Sequence, residues 1–575
     1  MKHILTRLFL LFFLCYAYDG YSFTGKRTTL IPRSQTTNAQ RLLVGWYDII
    51  NRYHWDDKQY WGWSISGAYN RTSDSAEIES FLFGRKQFEV VGSRVVGRSD
   101  KALLADYFGL PSDFQGSICF APTISTFTAD FAWFWRLDHI IDGWYFRAHA
   151  PVVHTTWDLN TKEKVSVAGT LGFPGGYMGS TVIARSALPT TLKQVMDNTL
   201  EAVTFGDMQD PIAYGRVFEC KVHTHISDVH IETGYAPYTS KTGHLALGIR
   251  VGVPSGTRPS QRTIFSPIAG NGHHAECGAS LTWHMVPWMN EQETSYFGIY
   301  SDLYITHLFK DTQPKSYDFI DQKAGSRYIL LERFFEPGNT GVYVAGSQIA
   351  QQYQGRLIPA INATTLCSSV SFPVQLDWAL MFAYHRDCGL DVNWGYGLWI
   401  RSAEKLHCRE RFPDNTFAIK GDAQIYGFDM SNTAYKLSAT QSKATIFGGQ
   451  NDGNFVTDLY ANNNADNAMN AQDSGAMPLY QLNATDAGTF GITQANVKTS
   501  YPAKLLSDAD INNDSVLMPR SLTHKLFISV GKFWRKYEKM PFLTIGAEIE
   551  WHCKCLENNG ALSQWGVWIK GGFTV

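Results

Sequence analysis

The sequence has few charged residues and no long apolar run, and each shortage excludes a class of protein. Asp, Glu, Lys and Arg make up 18% of its 575 residues, against about 25% in an average soluble domain. Disordered chains need high charge and few aromatic residues, whereas aromatic residues make up 14% of this chain. No stretch after the N-terminal region reaches 18 uninterrupted apolar residues, and a transmembrane helix needs about 20. With a formal net charge of −2, nucleic acid is not an expected partner.

What the chain does have is an ordinary apolar content that is dispersed rather than clustered. Apolar residues make up 44% of the sequence, with 17 Trp, 28 Tyr and 35 Phe among the aromatics. Length alone, at about 150 residues per domain, would predict three or four domains. The composition instead favours either a large β-rich secreted protein or a transmembrane β-barrel.

The first residues have the pattern of a secretory signal peptide. Lys2 and Arg7 form a short basic region, and an apolar stretch of 11 residues follows at Leu8–Tyr18. Small residues such as Ala17 and Ser22 then offer a cleavage site. We therefore predict that residues 1–22 are a signal peptide, in preference to a membrane anchor, and that residues 23–575 form a single outer-membrane barrel.

Cysteines and histidines do not indicate a metal centre. Of nine cysteines, Cys15 would leave with the signal peptide and eight would remain. Eight cysteines in an exported chain permit disulfides, but 105 pairings are open. Groups such as His552 with Cys553 and Cys555 lack a second pair at zinc-finger spacing. We expect neither a metal nor any other cofactor.

The strongest signal is alternation of apolar and polar residues over about ten residues at a time. It runs through Trp61–Asn70 and Ala129–Leu137, and most clearly through Phe372–Arg401, where a turn is predicted at Arg386–Gly389. Such strands bury one face in an apolar medium and leave the other polar. Sandwich strands usually have about 5–6 residues, whereas a tilted barrel strand needs about 9–11 to cross a bilayer. The pattern therefore predicts an all-β fold: an antiparallel transmembrane β-barrel of about 12–16 strands, with long loops and one or two short helices.

The C-terminal residues predict how the barrel closes. Trp565, Val567 and Ile569 alternate with polar or small residues up to Phe573, near the end of the sequence. Outer-membrane barrels commonly end on such a strand with a late aromatic residue. We expect it to pair with the strand at Trp61, because lipid cannot hydrate a free sheet edge.

Several segments interrupt the alternation or carry it only weakly. Two helices are predicted, at Ser99–Leu110 and Leu188–Val203. The stretch Ser431–Met518 is rich in Asn, Asp, Ala, Ser and Gly, and we predict a long extracellular loop or a lumen plug there. The weaker strand candidates are Ile78–Phe83, Gln87–Val96, Tyr328–Phe334 and Phe417–Phe428.

Five blocks resemble a poorly characterised porin-like outer-membrane family that is associated with host-dependent bacteria living inside protists. The blocks are LADYFGLP at Leu104–Pro111, FRAHAPVVHTTWDLN at Phe146–Asn160, PIAGNGHH at Pro267–His274, GSRYILLERF at Gly325–Phe334 and GLDVNWGYGLWIRS at Gly389–Ser402. They spread over most of the mature chain. The resemblance implies a bacterial outer-membrane barrel of unknown cargo and supplies no catalytic residues.

The leading hypothesis is a porin-like channel for passive diffusion of small hydrophilic solutes through a water-filled lumen. Charged residues on the polar faces of the strands would line the pore, and their eight acids and five bases predict a weak preference for cations. These residues are Asp130, Arg136, Arg147, Asp228, Glu232, Arg250, Asp302, Asp377, Asp391, Arg401, Glu548, Glu550 and Lys570.

Two other functions compete with the channel. A surface structural or adhesion barrel would contact a host or envelope partners through its long loops. A barrel enzyme is disfavoured, because the sequence has no GxSxG elbow, no Walker motif and no dinucleotide fingerprint. Outer-membrane lipid, the barrel-assembly machinery and small solutes are the expected partners, and a homo-oligomer is left open.

Overall fold

A computed structural model describes most of the chain. The described residues are 27–45, 60–173, 177–179, 182–197, 202–217, 220–334, 353–421, 427–428, 434–435, 444–448, 505–534, 539–553 and 559–574. The predicted signal peptide lies outside them, as does most of the predicted long loop at Ser431–Met518.

Twelve antiparallel strands form a closed barrel in which each strand pairs with its neighbours in chain order. The predicted fold class is thereby confirmed, at the lower end of the expected strand count. The strands are β1 (Tyr60–Thr72), β2 (Thr123–Arg136), β3 (Trp144–Asp158), β4 (Val229–Ser240), β5 (Gly243–Val253), β6 (Glu276–Met289), β7 (Tyr296–Ser316), β8 (Thr365–His385), β9 (Leu390–Arg401), β10 (Ser521–Phe533), β11 (Phe542–His552) and β12 (Gln564–Thr574).

The barrel closes between its first and last strands, as the sequence predicts. β1 and β12 pair from Gly62 opposite Thr574 to Thr72 opposite Gln564. On the outer face the rings of Trp63 and Phe573 meet edge-on, with their centroids 4.9 Å apart. This register satisfies the backbone groups of both strands, so the sheet has no free edge in its membrane-spanning part.

The outer face of the barrel is apolar, and the inner face carries buried polar and charged side chains together with one apolar cluster. Outward side chains such as Ile528, Ile545 and Val567 are exposed, although a soluble protein rarely leaves a continuous apolar surface of this extent. Exposed aromatic residues lie near the strand ends, with Trp61 at the start of β1 and Trp551 near the end of β11. Such a belt with aromatic borders is typical of a lipid-facing barrel. None of the described helices has the length and hydropathy that a membrane-spanning helix needs.

The two ends of the barrel differ in their connections. At one end, here called the turn end, the connections are the short segments 137–143, 241–242, 290–295, 386–389 and 534–541. At the other, here called the loop end, they are 73–122, 159–228, 254–275, 317–364, 402–520 and 553–563. Barrels of the outer membrane keep short turns on the periplasmic side and long loops outside the cell.

The described parts of the long loops fold together into a cap over the loop end. Its core includes Leu104, Phe108, Phe114, Ile329 and Phe412, all buried in one apolar cluster. The cap therefore has a hydrophobic core, which continues into the loop end of the barrel through residues such as Trp157 of β3 and Phe372 of β8.

Short strands and helices build this cap and extend the barrel wall. One four-stranded sheet contains Gln87–Val91, Leu103–Leu104, Gln115–Cys119 and Lys162–Val167, and a three-stranded sheet contains Leu330–Phe334, Tyr353–Pro359 and Phe417–Lys420. Two-residue pairs join Asp318–Phe319 to Ile511–Asn512 and Gly427–Phe428 to Ala434–Tyr435. Cys220–Ile226 adds to β3, and Lys405–Arg409 adds to β8.

The described helices are all short. The α-helices are α1 (Ala39–Leu43), α2 (Ser75–Leu82), α3 (Leu192–Asp197) and α4 (Ala360–Thr364), and the 3-10 helices are Ala105–Phe108, Arg185–Ala187, Ser326–Tyr328, Asp508–Asp510 and Asn513–Val516. Helix α3 lies within the predicted helix at Leu188–Val203.

The structure corrects two local predictions. Ser99–Leu110 contains only the 3-10 helix Ala105–Phe108 and no α-helix, because the amide of Leu104 bonds to the carbonyl of Ile446 at 2.9 Å and draws the preceding residues into the cap sheet. The strand candidate Ile78–Phe83 overlaps helix α2, which begins where the Asp74 side chain accepts a hydrogen bond from the amide of Ala76. The other weak strand candidates do contain strands, but these belong to the cap and not to the wall.

Free thiols predominate among the described cysteines. Cys119, Cys220, Cys277, Cys367, Cys388 and Cys408 are free. Cys553 is disulfide-bonded. The barrel fold is thus held by its strand ladder, with few covalent cross-links in the part of the chain that the structure describes.

The lipid-facing belt predicts the effect of a charge placed on it. Ile528 is 55% exposed near the middle of β10, and Ile528→Arg should reduce the free energy of unfolding in lipid vesicles by about 2–4 kcal/mol. The matched control is Ile320→Arg, because Ile320 is 57% exposed but lies in the cap. Denaturant titration measures both variants, and equal losses would show that Ile528 does not face lipid.

One cap carboxylate makes cap stability depend on pH. Burial raises the pKa of Glu332 from 4.5 to about 8, since Asp207 adds to this effect and the ammonium of Lys420 opposes it only in part. Between pH 4.5 and about 8, the carboxyl group of Glu332 therefore holds a proton in the folded cap but has lost it in the unfolded chain. The stability of the cap should therefore fall as the pH rises through this window.

We expect Glu332→Gln to remove that dependence. Hydrogen exchange of the amides in Leu330–Phe334, corrected for intrinsic rates, should show protection that decreases from pH 5 to pH 8 in the parent and is flat in the variant. The same slope in both proteins would contradict the assignment to Glu332.

Candidate functional site

The interior of the barrel contains a segment of the chain itself. Residues 27–45, here called the plug, run through the lumen from the loop end to the turn end. At the loop end the guanidinium of Arg401 donates to the carbonyl of Ile31 at 2.6 Å. At the turn end the ammonium of Lys570 donates to the carbonyls of Arg41 at 2.6 Å and Val44 at 2.8 Å.

The plug is bound to the wall most directly through Arg33. Its guanidinium donates to Asp377 on β8 at 2.6 Å and to Glu550 on β11 at 2.8 Å. The guanidinium carbon lies over the ring of Trp399, 5.9 Å from the ring centroid. The second oxygen of Asp377 accepts from the amide of Ala39 at 2.6 Å, where helix α1 begins and leaves amides without helical partners. A single carboxylate therefore binds the plug at two points.

A second carboxylate, Glu548, binds the middle of the plug. It accepts from Gln40 at 2.5 Å, and the guanidinium of Arg41 lies 3.3 Å away. Asn70 of β1 donates to the same carboxylate at 2.8 Å. Lys525 on β10 lies 3.4 Å from Glu548 and 3.4 Å from Glu550, and joins the two sites. Charge-assisted hydrogen bonds of this kind are among the stronger ones in proteins.

The turn end of the plug requires a glycine. Gly45 has a φ of +83°, in the left-handed region that other residues rarely adopt. A Cβ atom at this position would lie 2.4 Å from the ring of Phe542. A side chain at position 45 would thus disturb the plug at its exit from the barrel.

Two of the cavities are lined in part by the plug. One of about 110 Å³ lies in the cap beside Arg27 and Phe88, and one of about 60 Å³ lies in the lumen between Arg33, Trp399 and Gln564. A third, of about 20 Å³ between Arg136 and His244 near the turn end, is lined by barrel residues. The two lumen cavities accommodate a few water molecules. In the part of the chain that the structure describes, most plug residues and the inward side chains are buried against one another, so the docked plug obstructs the lumen.

All thirteen residues predicted from the sequence to line a pore are buried, in the barrel strands or, for Asp228, directly before β4. Six of them contact the plug by side chain. Five do so through the bonds given above: Asp377, Arg401, Glu548, Glu550 and Lys570. The sixth is Asp228, whose carboxylate accepts from Ser34 at 3.3 Å.

Others of the thirteen form ion pairs and hydrogen bonds across the wall. Arg147 lies 3.6 Å from Asp302 and donates to the hydroxyl of Tyr304 at 3.1 Å. Arg136 donates to Asp138, beside the turn, at 2.6 Å. These contacts neutralise charge within the wall.

Two further members of the set contact residues of neighbouring strands. Glu232 accepts from the hydroxyls of Tyr145 at 2.9 Å and Ser280 at 2.8 Å. The guanidinium of Arg250 lies 3.1 Å from a ring nitrogen of His149.

Two acids of the set lie beside histidines. Asp130 is 3.4 Å from His149, and Asp391 is 3.6 Å from His385. The polar interior is therefore a set of paired groups and not a row of isolated charges.

Sequence reasoning missed the lumen residues Arg33, Gln40, Arg41 and Lys525. Lys525 had a detectable signal, because it alternates with the exposed residues Leu526 and Ile528 along β10. The plug residues had none, since residues 27–45 have no strand periodicity and most of the wall partners of Arg33, Gln40 and Arg41 lie hundreds of positions away in the chain.

Comparisons with known proteins find distant structural likeness only. No family model and no curated protein matches the chain. Among solved structures, an outer membrane channel from Pseudomonas putida F1 is 8% identical with a TM-score of 0.30, covering 89% of this chain and 96% of that one. The β domain of the Bordetella autotransporter BrkA is 7% identical with a TM-score of 0.24, covering 90% of this chain and 99% of that one. A Pseudomonas aeruginosa FadL homologue is 6% identical with a TM-score of 0.24, and 90% of each chain is covered.

These likenesses are too distant to transfer an activity. The assignment of the fold rests on the strand pairing of this chain, and its function has to be argued from the lumen.

Removing the charge of Arg33 should loosen the plug. We expect Arg33→Gln to weaken plug docking by about 3–5 kcal/mol, because it leaves Asp377 and Glu550 buried without their guanidinium partner. Hydrogen exchange of the amides in residues 34–44 measures this change. The control is Arg258→Gln, which breaks an ion pair of 3.1 Å with Asp311 at a side chain that is 53% exposed. Unchanged exchange in Arg33→Gln would contradict the role of Arg33 as the main anchor.

Proposed function

We propose that the protein is a channel of the bacterial outer membrane that passes small hydrophilic solutes when the plug leaves the lumen. The observation that carries the proposal is a closed barrel with an apolar outer face and a lumen whose wall bears buried charged groups from nearly every strand. Apolar cargo is disfavoured, since it would remove water from these polar and charged groups without hydrogen-bonding to them, which is costly.

The outer membrane is favoured because the chain crosses the bilayer with β-strands. Barrels of this type cross with strands and present a belt bordered by aromatic residues. The signal-peptide pattern at residues 1–22 supports export of the chain, and the contrast between the turn end and the loop end supports periplasmic and external orientations.

Solute passage requires the plug to move, because it fills the lumen in the described arrangement. Its contacts with the barrel combine hydrogen bonds and ion pairs, such as those of Arg33, Gln40 and Arg41, with an apolar cluster in which Leu42, Leu43 and Val44 join barrel residues such as Phe134 and Phe527. Water can hydrate the polar groups when the segment undocks, which offsets part of the cost of breaking their bonds. The plug is therefore suited to act as a gate between closed and conducting states.

A disulfide between plug and wall tests the gate directly. The hydroxyls of Thr36 in the plug and Ser227 in the wall are 2.7 Å apart, which places the two side chains within reach of a disulfide. We expect the parent to show intermittent openings in planar bilayers. Thr36→Cys with Ser227→Cys should lose these openings under oxidising conditions and regain them with a reductant.

Each single cysteine variant and the parent serve as controls for the native thiols and for the disulfide at Cys553. Their conductance should not change with the redox condition. Absence of conductance from every folded preparation would overturn the channel, and openings that persist in the oxidised double variant would overturn the plug as its gate.

A further inference from the structure

The contacts of Arg33 suggest which solutes the lumen recognises. We propose that Asp377 and Glu550 form a binding site for organic cations with a guanidinium or primary ammonium group, and that Arg33 occupies this site as an internal surrogate while the plug is docked. The inference rests on the proposed channel function and adds a class of solute to it.

The geometry around the guanidinium is that of a built site. Two carboxylates from different strands converge on it, at 2.6 Å from Asp377 and 2.8 Å from Glu550, and the face of Trp399 lies nearby at 5.9 Å. Planar guanidinium groups are recognised by carboxylates and by aromatic faces in this way. The side chain of Arg33 is only 10% exposed and both carboxylates are buried, so water screens the interaction weakly.

Part of the site would remain in place after the plug leaves. Glu550 accepts hydrogen bonds from Thr523 at 2.5 Å and from Gln564 at 2.7 Å, and both donors belong to the wall. The carboxylate therefore keeps its orientation without Arg33. Such preorganisation reduces the entropic cost of binding an incoming cation.

The charges around the plug also favour a cation. Three wall carboxylates, Asp377, Glu548 and Glu550, face two plug guanidiniums and the wall ammonium of Lys525. Undocking removes the two guanidiniums and leaves this part of the wall with two uncompensated negative charges. Lys570, at the turn end, loses its plug carbonyls at the same time.

A cation in the vacated site would stabilise the undocked state. Carboxylates in a narrow lumen are costly to leave without a partner. Because Arg33 blocks the site while the plug is docked, a soluble cation binds the undocked state alone and shifts the equilibrium toward it. Anionic and neutral solutes have no such effect, so the recognised solute also promotes opening.

The test measures opening and selectivity of the full mature chain in planar bilayers. Arginine hydrochloride is added at constant ionic strength, with equal potassium chloride, sodium glutamate and glucose as comparison solutes. We expect arginine to raise the open fraction several-fold and the others to leave it unchanged. Reversal potentials in a potassium chloride gradient should give a cation-to-anion permeability ratio above one.

The variant Asp377→Asn with Glu550→Gln keeps the shape of the site and removes its charge. It should lose the response to arginine, and its permeability ratio should fall toward one. The matched control is Asp106→Asn, since Asp106 is a fully buried carboxylate that bonds to Ser93 and Tyr177 in the cap. This control should respond to arginine as the parent does.

The outcomes separate the inference from the channel function. Conductance without a response to arginine in the parent, or an equal response in the parent and the doubly neutralised variant, would overturn the cation site and leave the channel intact. No conductance from any of the folded proteins would overturn the channel itself, together with the site that depends on it.

Discussion

Closure of the sheet between β1 and β12 is the constraint on which the rest of the structure depends. In lipid, a strand with an unpaired edge would expose backbone groups that nothing can hydrate, so the twelve strands have to form a ring. The ring then separates two surroundings, because neighbouring residues on every strand point to opposite sides. Ile545 and Ile549 face outward on β11 while Glu548 and Glu550 face the lumen. Apolar belt and polar lumen are two consequences of the same geometry.

A closed ring of this size also places charged side chains in a narrow lumen, and the plug supplies partners for some of them. Carboxylates such as Asp377, Glu548 and Glu550 point into a narrow space where charges need partners. Neighbouring strands supply some of them, as Lys525 does, and the plug supplies Arg33 and Arg41. The contacts that pair the charges of the wall also hold the plug in the lumen, where it blocks the passage. Docking of the plug therefore closes the lumen and neutralises its wall at the same time. For this reason, a solute that takes the place of the plug has to match the charge of the wall.

The cap is stabilised by an apolar core and not by a lipid-facing belt. This core, with Leu104, Phe108, Ile329 and Phe412, is buried as in a soluble domain. The strands of the cap were the ones that sequence patterns could not assign. Gln87–Val91 and Leu330–Phe334 are strands with the expected residue types, yet they pair within the cap and not in the wall. In the structure both have five residues and are too short to cross a bilayer, whereas the candidate Gln87–Val96 was long enough in the sequence to do so. This explains why the observed count of twelve lies at the lower end of the range.

By itself the sequence determined the barrel, the inward and outward faces of its strands and the closing pair of β1 with β12. These follow from the alternation of apolar and polar residues with a period of two. The alternation is local, so it can be recognised in the sequence without knowing which residues make contact. Only the tertiary structure decided what fills the lumen. Arg33 meets Asp377 and Glu550 across 344 and 517 positions of the chain, and no periodicity in residues 27–45 indicates such partners. The thirteen charged residues could be placed on the inner faces from sequence, but whether each faces water, a neighbouring strand or the plug depends on contacts between residues far apart in the chain.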